Sequence, residues 1–121
     1  PGAISDVEWL VQLMQLRYAG NHPELRSLST LGTLAFLVTL GHVDAADSRV
    51  LEDAWIMASR VRSAQVLALD KSSDELPIDR YKLEAIARVL EFEPGSASEL
   101  EERYLAVTRR SRAVFQKLFL E

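Results

Sequence analysis

The sequence predicts an all-α fold, a single bundle of about five helices, and three observations carry that expectation. Apolar residues recur at steps of three and four in every long stretch, no stretch shows sustained period-two alternation bounded by turns, and all four prolines fall outside the periodic stretches. The size is right for one domain. With 121 residues, 48% of them hydrophobic, the chain should bury roughly two-thirds of the surface its unfolded form exposes. It has no cysteine, so disulfides, thiolate metal sites and cysteine nucleophiles are excluded. Lys+Arg number 14 against Asp+Glu 18, a net charge of −4, which argues against a globally basic nucleic-acid binder. No apolar run approaches the ~18 residues of a membrane span. The first residue is Pro1 with no charged-then-apolar leader, so the chain is expected to be a fragment of something larger.

Ser5-Asp6-Val7-Glu8 has the form of a capping box and predicts a first helix over about 6–19, with Trp9, Leu10, Leu13, Met14 and Leu16 as its apolar residues, Gln15 and Arg17 outside, and Gly20 to Pro23 as its stop. Residues 23–29 read as a connector. Ser29 or Thr30 caps a second helix through Leu40 that is apolar on most sides, and Gly41 ends it. The third and longest helix is capped by Asp44 or Asp47. It carries two seams, Val50-Ala54-Met57-Val61-Ala64-Ala68 and Leu51-Trp55-Ala58-Arg62-Gln65-Leu69, which together give a wide buried face. The polar run 70–78 is a loop. Asp79 caps a fourth helix with Leu83, Ile86, Ala87 and Leu90 on one face, broken by Glu93-Pro94-Gly95-Ser96. The last helix starts at Ser96 or Ser98 and has the seam Leu100, Tyr104, Val107, Ser111, Val114, Leu118.

Motifs that carry chemistry are missing: no phosphate loop, no Gly-x-Gly-x-x-Gly, no His-Glu-x-x-His and no Gly-x-Ser-x-Gly. His22 and His42 stand isolated in turn-like sequence and read as loop histidines, not metal ligands. Asp6 and Glu8, two apart on a helix, do not share a face; capping and the helix dipole account for them, with contact to a neighbouring domain as the alternative. On the last helix Glu99, Glu101 and Glu102 precede Arg103, Arg109, Arg110, Arg112 and Lys117. That order complements the macrodipole, and the basic half is alternatively a surface for an acidic partner. Arg62 and Gln65 interrupt an apolar seam. A half-buried arginine costs several kcal/mol unless paired, so Arg62 is expected to meet a carboxylate on another helix or to serve a domain interface. Trp55 reads as a core anchor.

Taken together, the residues resemble a known family. Gly2-Ala3-Ile4-Ser5-Asp6-Val7-Glu8-Trp9 followed by Gln12 resembles the Gly-Gly-hydrophobic-x-Asp-hydrophobic-Glu-aromatic-x-x-Gln segment of the glutamine synthetase adenylyltransferases. Leu25-Arg26 with Ser29-Thr30, Arg60-x-Arg62, Asp74-x-Leu76-Pro77-x-Asp79, and Leu83, Ala87 and Leu90 follow in the family's order. Two positions depart from it: Ala3 stands for a glycine, and Glu91-Phe92 lacks the glycine that usually follows the fourth helix. The resemblance implies the C-terminal helical domain that accompanies a nucleotidyltransferase domain in a cytoplasmic bacterial enzyme. The parent would use ATP and magnesium to modify glutamine synthetase, with the PII protein as a further partner and no nucleic acid or membrane involved. The family's Gly-Ser and Asp-x-Asp catalytic signature is not in this sequence, so no catalytic, cofactor-binding or metal-binding residue is expected within it. The candidates for contacts to the missing domain or to a partner are Asp6, Glu8, Arg60, Arg62, Arg109, Arg110 and Arg112. The helical domain of a PII uridylyltransferase and a stand-alone helical interaction module are the alternatives.

Overall fold

The computed structural model describes residues 3–73 and 75–120. Five α-helices and one 3-10 turn occur among the described residues, in the order α1 Ala3–Tyr18, the turn Pro23–Ser27, α2 Thr30–Thr39, α3 Ala45–Leu69, α4 Arg80–Val89 and α5 Ala97–Leu120. Three caps fall where the sequence places them. The Ser29 hydroxyl accepts from Gly32 N at 3.0 Å, Asp44 Oδ1 accepts from Asp47 N at 2.9 Å, and Asp79 Oδ1 accepts from Tyr81 N at 2.9 Å and Lys82 N at 3.1 Å. Of the two candidates for α3 the cap is therefore Asp44. At α5, which opens directly after Ser96, the Ser96 carbonyl accepts from Leu100 N at 3.0 Å.

Helix α1 departs from its expected start. It is already helical at Ala3, so the Ser5 to Glu8 box lies inside the helix; the Ser5 side chain, Pro1 and Gly2 lie outside the described residues. The missing glycine at Ala3 is thus no obstacle, because that position is helical and needs no positive φ.

The second departure has a clear backbone answer. At the end of α2, Gly41 sits at φ 81, with Gly41 N bonded to Val38 O and His42 N to Leu37 O, each at 3.0 Å. At the end of α4 the same pair of bonds recurs, Glu91 N to Arg88 O at 3.0 Å and Phe92 N to Ala87 O at 2.9 Å, with Glu91 at φ 67. Both are Schellman stops, one built on glycine and one on glutamate. Phe92 supplies the accompanying apolar contact, packing on the cluster that contains Ile86 and Ala87. A β-carbon in the left-handed region costs roughly 1–2 kcal/mol. Glu91→Gly is therefore expected to stabilise the fold by about 1 kcal/mol after glycine's entropic penalty, read as a higher urea midpoint at unchanged slope.

Helix α3 is the axis, packing against α1, α2, α4 and α5. Its buried line is Leu51, Ala54, Ala58, Val61 and Gln65, stepping by three and four. This line runs between the two expected seams and draws on both; Val50 and Met57 flank it on one side, Trp55 and Arg62 on the other, all half-buried. At one end Val7, Leu10, Val11 and Met14 of α1 meet Leu34 and Leu37 of α2, Leu51 and Ala54 of α3, and Val114 of α5. At the other end Leu83, Ile86 and Ala87 of α4 meet Ala64 and Leu100. Ala58, Val61 and Tyr104 join the two. Ala54, Ala58 and Ala64 of α3 are buried, and their small side chains let the neighbouring axes approach.

Candidate functional site

No group of three or more His, Cys, Asp or Glu side chains able to hold a metal ion occurs among the described residues. The histidines are engaged in ring contacts. His42 stacks on Tyr18 with centroids 3.6 Å apart and planes at 9°, and His22 meets Phe36 edge-on at 5.9 Å, with Glu24 3.6 Å from its Nδ1.

Two of the candidate contact residues meet each other. Arg112 on α5 donates from Nη1 to Asp6 Oδ2 at 2.8 Å, with Asp6 nearly buried and Arg112 half-exposed over the Phe115 ring. The partner of Asp6 is 106 residues away in sequence, which no local pattern could show. One turn further along, Lys117 donates to Asp47 Oδ2 at 2.7 Å, tying α5 to the start of α3. The basic half of α5 is thus partly matched within the bundle, and the macrodipole alone does not describe it. For the half-exposed Asp6–Arg112 pair, a double-mutant cycle with Asp6→Asn and Arg112→Gln is expected to give a coupling of about 0.5–1 kcal/mol.

Arg109 and Arg110 are exposed and Glu8 is half-exposed. Among the described residues no ion pair is formed by these three or by Arg60 and Arg62. The carboxylate expected opposite Arg62 is not found there, and the buried Arg62 Nε has no hydrogen-bond partner among them. Trp55 packs on both the first and the joining core clusters, as an anchor should. Arg60 lines a groove of about 320 Å³ with Asp53, Met57, Phe92, Arg103 and Val107. Arg103 is held there by Glu99 at 3.0 Å and lies 5.3 Å from the Phe92 ring centroid.

Two glutamines, Gln65 and Gln15, act as clamps. Gln65, only 1% exposed, donates to Ser73 O at 2.8 Å and Glu75 O at 2.6 Å, fastening the α3–α4 loop to α3. Gln15, expected to face outward, donates to Leu25 O at 2.9 Å and Thr33 Oγ1 at 3.0 Å and fastens the 3-10 turn between α1 and α2.

A surface feature not anticipated from sequence lies on α1. The expected single apolar row divides: Leu10 and Met14 join Val7 and Val11 inside, whereas Trp9 is 55% and Leu16 79% exposed. Leu13, Leu16 and Arg17 line one wall of an apolar groove of about 410 Å³ whose other wall is Leu118 and Phe119 of α5. The signal was present as a second run at steps of four and three, Trp9, Leu13 and Leu16, too far round the helix to share the inner face.

Residues 1–119 match the family model described as GlnD PII-uridylyltransferase. The chain belongs to this family. Among curated relatives, the bifunctional glutamine synthetase adenylyltransferase/adenylyl-removing enzyme of Leifsonia xyli is 53% identical over 118 residues, 98% of this chain and 12% of that protein. The enzymes of the same name from Streptomyces avermitilis and Mycolicibacterium smegmatis are 38% and 40% identical over the same share of each chain. This family member thus spans about an eighth of the length of the relatives it matches. No helix among the described residues is long and apolar enough to cross a membrane.

Proposed function

We propose that these residues form a helical accessory domain of a cytoplasmic enzyme that adenylylates and de-adenylylates glutamine synthetase. Nucleotide and magnesium would be handled by a nucleotidyltransferase domain elsewhere in the same polypeptide. The observation that carries this reading is the 53% identity across 98% of the chain to a protein of that name, of which the match is only 12%. The chemistry supports it. Transfer of a nucleotidyl group needs carboxylate-held metal to neutralise the departing phosphate, and no such cluster exists among the described residues. What the bundle offers instead is a rigid scaffold with two fastened loops and a set of surfaces. Glutamine synthetase and the PII protein are the partners this reading gives the parent enzyme.

The reading frame that contains the chain is a direct test. A Gly-Ser followed by a spaced Asp-x-Asp is expected within the couple of hundred residues before Pro1, and its absence would sink the assignment. A second reading, the helical domain of a PII uridylyltransferase, is favoured by the description of the matching family model. The nucleotide separates the two: the first reading expects the full-length protein to transfer AMP from ATP to glutamine synthetase, the second UMP from UTP to PII.

A further inference from the structure

We propose that the groove between α1 and α5 seats a helix of the same polypeptide lying outside these 121 residues. The inference rests on the reading that the chain is embedded in a longer enzyme, and it names the surface through which the bundle joins the rest.

Helix α1 carries two apolar seams. The inner one fills the core; the outer one steps by four and three through Trp9, Leu13 and Leu16 as a helix-packing seam does, with Leu13 half-buried and Trp9 and Leu16 left exposed among the described residues. Phe119, 43% exposed and stacked on Phe115 at 4.5 Å, continues the surface from α5 with Leu118. Two helices presenting apolar side chains along a shared trough form the receiving half of a helix-in-groove contact. Isolated exposed leucines need no explanation, but a contiguous apolar trough on a small domain does.

The occupant follows from length. The match accounts for 12% of the Leifsonia xyli protein, so nearly nine-tenths of that chain lies outside it. A segment tethered in the same polypeptide meets the groove at a high effective concentration that a free partner lacks. Exposed Arg17 at the rim of the trough adds an expectation about sequence, an acidic residue at the edge of the incoming helix's apolar face.

The test uses the full-length enzyme. Leu16→Cys and Leu67→Cys, the second at a 77% exposed position on α3 away from the trough, are labelled with a maleimide. Sites are resolved by mass spectrometry, and each rate is divided by its own value in urea. Leu16→Cys is expected to react at least tenfold more slowly than Leu67→Cys, independent of protein concentration. In a Leu16→Glu variant, hydrogen exchange should rise about tenfold or more in at least one peptide outside the 121 residues while α3 stays protected. Equal labelling rates overturn the proposal. So does protection lost on dilution, which assigns the trough to a second copy, and so does a change confined to the 121 residues. AMP transfer to glutamine synthetase is assayed separately. Transfer with a freely labelled Leu16→Cys rejects this placement while leaving the accessory-domain reading intact; protected labelling without transfer rejects that reading and keeps the docked helix.

Discussion

Ile86→Ala is expected to cost about 2–5 kcal/mol, a large fraction of the roughly 5–15 kcal/mol that holds a domain of this size. Ile86 is fully buried among Leu83, Ala87, Leu100 and Ala64, and truncation leaves a cavity that a bundle fixed on three sides fills poorly. The loss should also be localised. Helix α4 has only 10 residues, too short to persist in water without its packed face, and it rests on α3 and α5 through that cluster. Urea unfolding should show the drop, and native-state hydrogen exchange should show α4 opening before α1 or α3. A loss below about 1 kcal/mol would mean that α4 contributes little to the core.

Gln65→Leu is the second large effect, about 2–3 kcal/mol, although leucine is apolar and of similar size. The glutamine's amide is the donor shared by the carbonyls of Ser73 and Glu75, and both acceptors fix which end of the side chain is nitrogen. With leucine there, those carbonyls lose their partner while they face a buried position. Gln65→Glu separates packing from hydrogen bonding, because a carboxylate turned toward two carbonyls should destabilise more than leucine does. Exchange should quicken first in residues 70–78. A neutral Gln65→Leu would show that the loop is held by Leu76 and Leu69 instead.

The fold was legible because its signals are local. Caps at Ser29, Asp44 and Asp79, the glycine stop at Gly41 and the seams of α4 and α5 each depend on residues within one or two turns. What was not legible depends on which helices meet. Asp6 is the first-turn acid that the sequence indicates, but its ion pair was not legible, because Arg112 is brought to it only by the packing of α1 on α5. The two seams of α3 together predict a wide buried face, and four neighbouring helices bury a line drawn from both, but which residues of each turn inward depends on that packing. In the sequence Gln15 reads as facing outward and Gln65 as a polar interruption, since nothing in their own helices marks the loop carbonyls they hold. The stop at Glu91 is a case where backbone hydrogen bonding outweighed residue preference: two bonds and the Phe92 contact impose a left-handed position on a residue that disfavours it. The outer seam of α1 was not separable in the sequence because Trp9, Leu13 and Leu16 interleave with the buried Leu10 and Met14, and only the packing of the bundle divides the two rows.

On the proposed reading this bundle supports a nucleotidyltransferase without performing the transfer. Radiolabelled AMP incorporation into glutamine synthetase from ATP and magnesium decides this, with the full-length protein compared to the purified 121-residue chain. Incorporation is expected with the full-length protein and none above the enzyme-free background with the chain alone; incorporation by the chain alone, or none by the full-length protein, would overturn the reading.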